Sequence, residues 1–186
     1  MGSTMLLLLL LSLAIPPYSF HQQPVLVKAD MGLIQKTCKS TKYYDLCVSC
    51  LKSNATSANT DTRGLALIMV GIGMANATAT STYLSSLQVS ASTTNDTNLK
   101  KVLKECADKY TYAGDALQDS AQDLATESYD YAYTNVQAAA DYPNACHDAF
   151  KRYPGLAYPP EIARRETGLK RVCDVLLGIL DVLADQ

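Results

Sequence analysis

The chain has 186 residues and a nearly balanced charge, with 16 basic and 18 acidic side chains and a formal net charge of −2. This length suits a single globular domain with a core of its own. The charge balance gives no reason to expect a nucleic acid as partner.

The chain begins with a leucine-rich apolar stretch, residues 5–15, which is followed by Pro16 and Pro17. A membrane-spanning helix needs roughly 20 apolar residues, so this stretch has the length of a signal-peptide core instead. We expect cleavage after Ala29, which makes residues 1–29 a signal peptide and residues 30–186 the mature domain. We expect no later segment to be apolar enough to span, and we therefore predict no membrane anchor.

All six cysteines follow the predicted cleavage site, in a chain that the signal would send to an oxidising compartment. Disulfide bonds are their default interpretation there. Three Asn-X-Thr sequons fit the same route and predict glycosylation of Asn54, Asn76 and Asn95. Asn54 and Asn95 lie in segments rich in serine and threonine, whereas Asn76 falls within a helical pattern.

Residues 30–60 contain only a short apolar segment with its own cysteines, which predicts a small helical hairpin. From residue 61 onward the apolar residues recur three and four apart, as in an amphipathic helix, and no alternation of period two competes. The polar stretch 90–98 ends this first long helix, and the same spacing predicts a second helix over residues 99–124.

The third long helix carries Tyr129, Tyr133, Val136 and Ala140 on one stripe, and Pro143 is expected to interrupt it and open a new turn. After a connection rich in proline and glycine, residues 153–160, a fourth amphipathic helix covers residues 162–183. The predicted fold class is therefore all-α. Residues 61–186 form a disulfide-stapled, up-down-up-down four-helix bundle, and the hairpin of residues 30–60 precedes it.

Residues suited to catalysis or metal binding are scarce in the mature chain. His147 is its only histidine, because His21 lies in the predicted signal peptide. His147 follows Cys146, and adjacent helical residues point about 100° apart, so neither side chain would orient the other for catalysis. We therefore interpret His147 as a surface residue beside a structural disulfide. The motif Cys47-x-x-Cys50 could be a redox pair or half of a zinc site. A redox pair of this type usually follows a strand, and no strand is predicted here. A zinc site needs a second pair of ligands, and the sequence has none at a suitable spacing. We predict no enzyme activity, no metal and no other cofactor.

The cysteine pattern and its surroundings resemble a known family. Ile34 and Thr37 precede Cys38, Tyr44 lies three positions before Cys47, and GLALIMV (64–70) opens the first long helix. With the signal peptide and the later cysteines, this pattern resembles the plant invertase and pectin methylesterase inhibitor family over the whole mature chain. Five segments are most similar to its cell-wall/vacuolar inhibitors of β-fructosidase of the second type: TKYY (41–44), IMVG (68–71), LKKVL (99–103), AADYPN (139–144) and GLAYP (155–159).

The resemblance implies an inhibitor that binds stoichiometrically at the active-site cleft of a secreted or vacuolar enzyme. The implied partner is an acid invertase (β-fructofuranosidase), a glycoside hydrolase, or alternatively a pectin methylesterase, in the apoplast, cell wall or vacuole. The implied disulfides are Cys38–Cys47 and Cys106–Cys146, which leaves Cys50 and Cys173 unassigned.

One departure from the family concerns the contact residues. Tobacco-type invertase inhibitors carry a Pro-Lys-Phe motif that enters the invertase active site, and alignment backward from Cys146 puts Tyr129, Asp130 and Tyr131 there. Helical spacing places Tyr129 on the core stripe and Tyr131 on the outer face. Because tyrosine is enriched at binding hot spots, we predict that these residues contact the partner. The missing motif and the extra thiol Cys173 favour pectin methylesterase as the alternative target.

Overall fold

A computed structural model of the protein describes residues 31–91 and 96–185. The predicted signal peptide and the sequon at Asn95 lie outside these residues. The described elements are α1 (Met31–Cys38), α2 (Tyr44–Ser53), a 3-10 helix (Ala55–Asn59), α3 (Thr62–Ala91), α4 (Thr97–Ala125), α5 (Tyr129–Lys151) and α6 (Pro160–Ala184). No strand occurs among them, and the all-α prediction is confirmed.

The four long helices, α3 to α6, form the bundle. Each packs against the next in the chain, and α6 also packs against α3, which closes the bundle. Such neighbour-to-neighbour packing is the arrangement of the predicted four-helix bundle. The largest fully buried side chains of the bundle are Tyr110, Phe150, Leu65, Met69, Leu84, Leu117, Leu124, Ile162, Leu169 and Leu176.

The helix α3 carries no charged side chain after Arg63. By length and composition α3 is apolar enough to cross a membrane. The expectation that no segment after the signal peptide is apolar enough to span was therefore wrong. In the bundle, Leu65, Met69 and Leu84 of α3 are fully buried. A Cβ atom at Gly73 would lie 2.9 Å from Cδ1 of Leu117, so this glycine lets α3 and α4 approach closely. The apolar character of α3 therefore serves the bundle core.

Two aspartates determine where long helices begin. Asp61 Oδ1 accepts a hydrogen bond from the backbone N–H of Gly64 at 2.8 Å, at the start of α3. Asp96 Oδ1 accepts one from the N–H of Leu99 at 2.9 Å, at the start of α4. A cap of this kind contributes about 1 kcal/mol because it satisfies a backbone donor that the helix leaves unpaired.

The proline in α5 does not interrupt the helix, so the predicted break was wrong. α5 runs from Tyr129 to Lys151 with Pro143 buried inside it. Proline removes one backbone hydrogen bond and usually ends or kinks a helix. Here Ala139 on one side and Cys146 on the other are both fully buried. Tertiary packing on both sides of Pro143 therefore holds the helix together.

The N-terminal hairpin is covalently closed and seated on the bundle. A disulfide joins Cys38 to Cys47, with the Cα atoms 5.6 Å apart. At Gly178 of α6, a Cβ atom would lie 2.9 Å from Cα of Thr41 and 2.9 Å from the carbonyl oxygen of Ser40. The hairpin backbone thus packs directly on the backbone of α6.

A second disulfide, Cys106–Cys146, joins α4 to α5, with the Cα atoms 4.6 Å apart. Both sulfur atoms are fully inside the core, because each of these cysteines is 0 % exposed. The two disulfides of the described chain are the pairs that the family resemblance implied.

Candidate partner-binding surface

The predicted contact residues lie at the end of the bundle where α4 turns into α5. Glu127 and Ser128 in the turn, Tyr129, Asp130 and Tyr131 in α5, and Ala184 at the end of α6 line an open depression of about 310 Å³. The structure brings the predicted residues together with the last turn of α6, which the sequence did not predict.

Tyr131 is 71 % exposed, which confirms its predicted outward orientation. The predicted core stripe of α5 was wrong in its register, because Tyr129 and Tyr133 are only half-buried. Val136 is buried as predicted, and the other buried positions of α5 are Ala132, Ala139, Pro143, Cys146, Ala149 and Phe150. Most of the core face of α5 carries small side chains, with Phe150 near its end, while Tyr129 and Tyr133 lie at the edge of the core. Sequence periodicity alone could not distinguish these neighbouring stripes.

The turn before α5 has a left-handed residue that is not glycine. Glu127 has a φ of 58°, a conformation that costs roughly 1–2 kcal/mol for a residue with a Cβ atom. The N–H of Ser128 donates to the carbonyl of Asp123 at 2.9 Å, and that of Glu127 donates to Leu124 at 3.3 Å. These bonds form a Schellman motif, in which glycine usually occupies the position of Glu127.

An ion pair ties this turn to the start of α3. Oε1 of Glu127 lies 2.8 Å from a terminal guanidinium nitrogen of Arg63. Exposed ion pairs contribute at most about 1 kcal/mol, and this one joins α3 to the turn that precedes Asp130 and Tyr131. No local sequence pattern relates Arg63 to Glu127, because the two positions are 64 apart in the chain. The one available signal was a helix-ending turn without glycine.

His147 is 41 % exposed at its side chain, as predicted for a surface residue, but it also belongs to a polar cluster. Its ring stacks on Tyr158 with centroids 4.3 Å apart. Its Nδ1 atom lies 3.6 Å from Oε2 of Glu166. The Tyr158 hydroxyl donates to the same oxygen at 2.9 Å, and Glu166 is buried. This cluster of His147, Tyr158 and Glu166 connects α5 with α6 and with the segment between them. Sequence patterns do not reveal the cluster, because its members are far apart in the chain.

Cys50 and Cys173 are free thiols in the structure. Burial raises the pKa of the Cys173 thiol to about 12, and the nearby Asp174 charge acts in the same direction. Burial also raises the pKa of the half-buried Cys50 thiol. The thiolate is the reactive form of cysteine, so both environments disfavour redox chemistry. Within residues 31–91 and 96–185, no group of three or more His, Cys, Asp or Glu side chains is placed to hold a metal ion.

These features define a disulfide-stapled helical bundle with an open depression at one end. The plant invertase/pectin methylesterase inhibitor family matches residues 32–179, and the chain belongs to this family. Its members are inhibitors, and the protein is not an enzyme.

The chain is similar to inhibitors of both target classes. It is 48 % identical to the cell wall / vacuolar inhibitor of fructosidase 2 of Arabidopsis thaliana, with 100 % of each chain covered. It is 36 % identical to pectinesterase inhibitor 28 of Oryza sativa subsp. japonica, over 90 % of this chain and 76 % of the relative. A crystal structure of a mutant form of a pectin methylesterase inhibitor from Arabidopsis matches with a TM-score of 0.63 and 25 % identity, covering 82 % of this chain and 96 % of that chain.

Proposed function

We propose that the protein inhibits an acid invertase of the cell wall or vacuole by stoichiometric binding at the active-site cleft of that enzyme. The observation that carries this proposal is the 48 % identity, over the full length of both chains, to an inhibitor of fructosidase. We also propose that this protein passes through the secretory pathway. This is supported by the name of that relative, a cell wall / vacuolar inhibitor, and by the signal-like N-terminal stretch of this chain.

We propose Tyr131 as the anchor of the contact, with Tyr129 and Asp130 beside it. Tyr131 is 71 % exposed at the end of the bundle. A tyrosine has two side-chain torsions, so it loses little conformational entropy when a partner immobilises it. Asp130 is exposed next to it and offers a carboxylate acceptor to hydroxyl groups or to a basic side chain of the partner.

The test is a titration of purified acid invertase with the secreted, folded protein. Loss of invertase activity that is complete near equimolar amounts supports the proposal. Full invertase activity in the presence of excess folded protein contradicts it. The same preparation is assayed in parallel against a pectin methylesterase.

Inhibition of pectin methylesterase is the alternative function. It is supported by the 36 % identity to a rice pectinesterase inhibitor and by the lack of the Pro-Lys-Phe motif at residues 129–131. Inhibition of pectin methylesterase together with unaffected invertase would establish this alternative. The parallel assay therefore separates the two targets in one experiment.

A further inference from the structure

A second surface lies where the hairpin meets the bundle. The turn before α2 and the helices α2, α3 and α6 enclose an open groove of about 760 Å³, here called the hairpin groove. Its lining includes the aromatic rings of Tyr43 and Tyr44, the apolar side chain of Ile72, the amide of Asn76 and the guanidinium of Arg171. The volume lies in the range of pockets that hold small organic ligands.

Asn76 is the asparagine of one of the sequons, and α3 places it in this groove. It is half-buried, and among the described residues its side-chain amide has no hydrogen-bond partner. Gly168 of α6 lies opposite, where a Cβ atom would be 3.5 Å from Nδ2 of Asn76. The amide nitrogen of Asn76 therefore faces the part of α6 that lines the hairpin groove.

The walls of the hairpin groove have the chemistry that recognises a sugar. Tyr44 is 39 % exposed, so part of its ring is available to contact the C–H face of a pyranose. The guanidinium of Arg171 lies over the ring of Tyr43 at 5.4 Å, and the Lys42 ammonium lies 5.3 Å from the same ring. Both cations are hydrogen-bond donors, and sugar hydroxyl oxygens are acceptors. The Lys42 ammonium also donates to Oδ2 of Asp174 at 3.0 Å, so the Arg171 guanidinium is the main donor offered to the sugar.

We propose that Asn76 carries an N-linked glycan whose first sugars lie in the hairpin groove, against Tyr43 and Tyr44. The bond forms on the unfolded chain in the secretory pathway. There the amide nitrogen attacks C1 of a lipid-linked donor sugar, loses a proton and displaces the lipid diphosphate. Once the chain folds, the sugar contacts both the hairpin and α3, so it holds the hairpin on the bundle. This inference does not depend on which enzyme is inhibited.

Occupancy is tested on protein secreted by plant or yeast cells, by mass spectrometry of glycopeptides. Thr78→Ala destroys the sequon without changing Asn76, whereas Thr78→Ser preserves it, and Thr78 is exposed in α3. We expect Thr78→Ala to lose the mass of one glycan and Thr78→Ser to keep it. Recovery of unmodified Asn76 from the secreted wild-type protein would overturn the proposal.

Placement in the hairpin groove is tested with a peptide N-glycosidase. We expect the Asn76 glycan to resist release from the native protein and to be released after denaturation and reduction. The variant Tyr44→Ala removes one wall of the groove and is expected to permit release from the native protein. Release from the native wild type as fast as from the denatured wild type would show that the glycan projects into solvent, and would refute the placement.

Discussion

The hydroxyl of Tyr158 donates a hydrogen bond to Oε2 of Glu166 at 2.9 Å, and this contact ties the proline-rich segment before α6 to a buried carboxylate on that helix. The Tyr158 ring also makes a T-shaped contact with Phe150, with centroids 5.2 Å apart. Lys170 donates to the other oxygen of Glu166 at 2.8 Å, which compensates the buried charge. Tyr158 thus ties a segment without regular structure to α6.

Removal of this hydroxyl should destabilise the protein. Tyr158→Phe is expected to lower the free energy of unfolding by about 1.5–3 kcal/mol, because the bond is to a charged group. The matched control is Tyr110→Phe. Tyr110 is fully buried, and its hydroxyl has no hydrogen-bond partner among the described residues, so its loss should leave stability unchanged or raise it. Denaturant unfolding measures both variants, and equal losses would contradict this assignment.

Stability should fall in alkaline solution. Burial raises the pKa of Tyr110 and of Tyr158 above the ordinary value, and for Tyr158 the hydrogen bond to Glu166 adds to the effect. A phenol with a raised pKa in the folded state contributes stability below its unfolded pKa of about 10, and this contribution is lost as the pH rises further. We expect the melting temperature to decline above about pH 10, and to decline less steeply in Tyr158→Phe. An identical pH profile for that variant would contradict the prediction.

The anchor role proposed for Tyr131 predicts a specific loss of inhibition. Tyr131→Ala should weaken inhibition by about 30-fold or more, which corresponds to about 2 kcal/mol at a hot spot. Tyr112→Ala is the matched control, because Tyr112 is 47 % exposed but lies on α4, where it contacts Tyr142. Inhibition constants for both variants against the enzyme that the wild type inhibits give the answer. If the two variants inhibit equally, Tyr131 is not the anchor.

The left-handed turn predicts a separation of stability from binding. Glu127→Gly relieves the backbone strain at a φ of 58° and removes the ion pair to Arg63. We expect an unchanged or higher melting temperature, because glycine favours this conformation, together with weaker inhibition. Arg63→Gln breaks the same ion pair and leaves the turn residue in place. It should weaken inhibition similarly, and wild-type inhibition by both variants would show that the restraint is unimportant.

The two disulfides should differ in their contribution to stability. Cys106–Cys146 spans 40 positions and Cys38–Cys47 spans 9. If restriction of the unfolded chain dominates, replacement of the longer bridge by serines should cost about 1 kcal/mol more than replacement of the shorter one. Loss of Cys38–Cys47 should instead loosen the hairpin locally, which limited proteolysis detects. Equal resistance of the hairpin to protease with and without its disulfide would refute this division.

The sequence by itself determined the elements of the fold. The spacing of apolar residues predicts four long helices, and all four are found, although α5 continues through the break predicted at Pro143. The outward position of Tyr131 follows from the same spacing, because the helical period alone sets the direction of a side chain. The cysteine pattern pointed to the family, and the family implied the bonded pairs.

Only the tertiary structure decided how these elements meet. Pro143 stays within α5 because residues on both sides of it are buried, which no local rule for proline describes. Arg63 meets Glu127, and Tyr158 meets Glu166, because bundle packing brings separate segments together. Asn76 faces a groove because the hairpin docks beside it. A helical period specifies the direction of a side chain, whereas its partner depends on which helices become neighbours and how closely they approach.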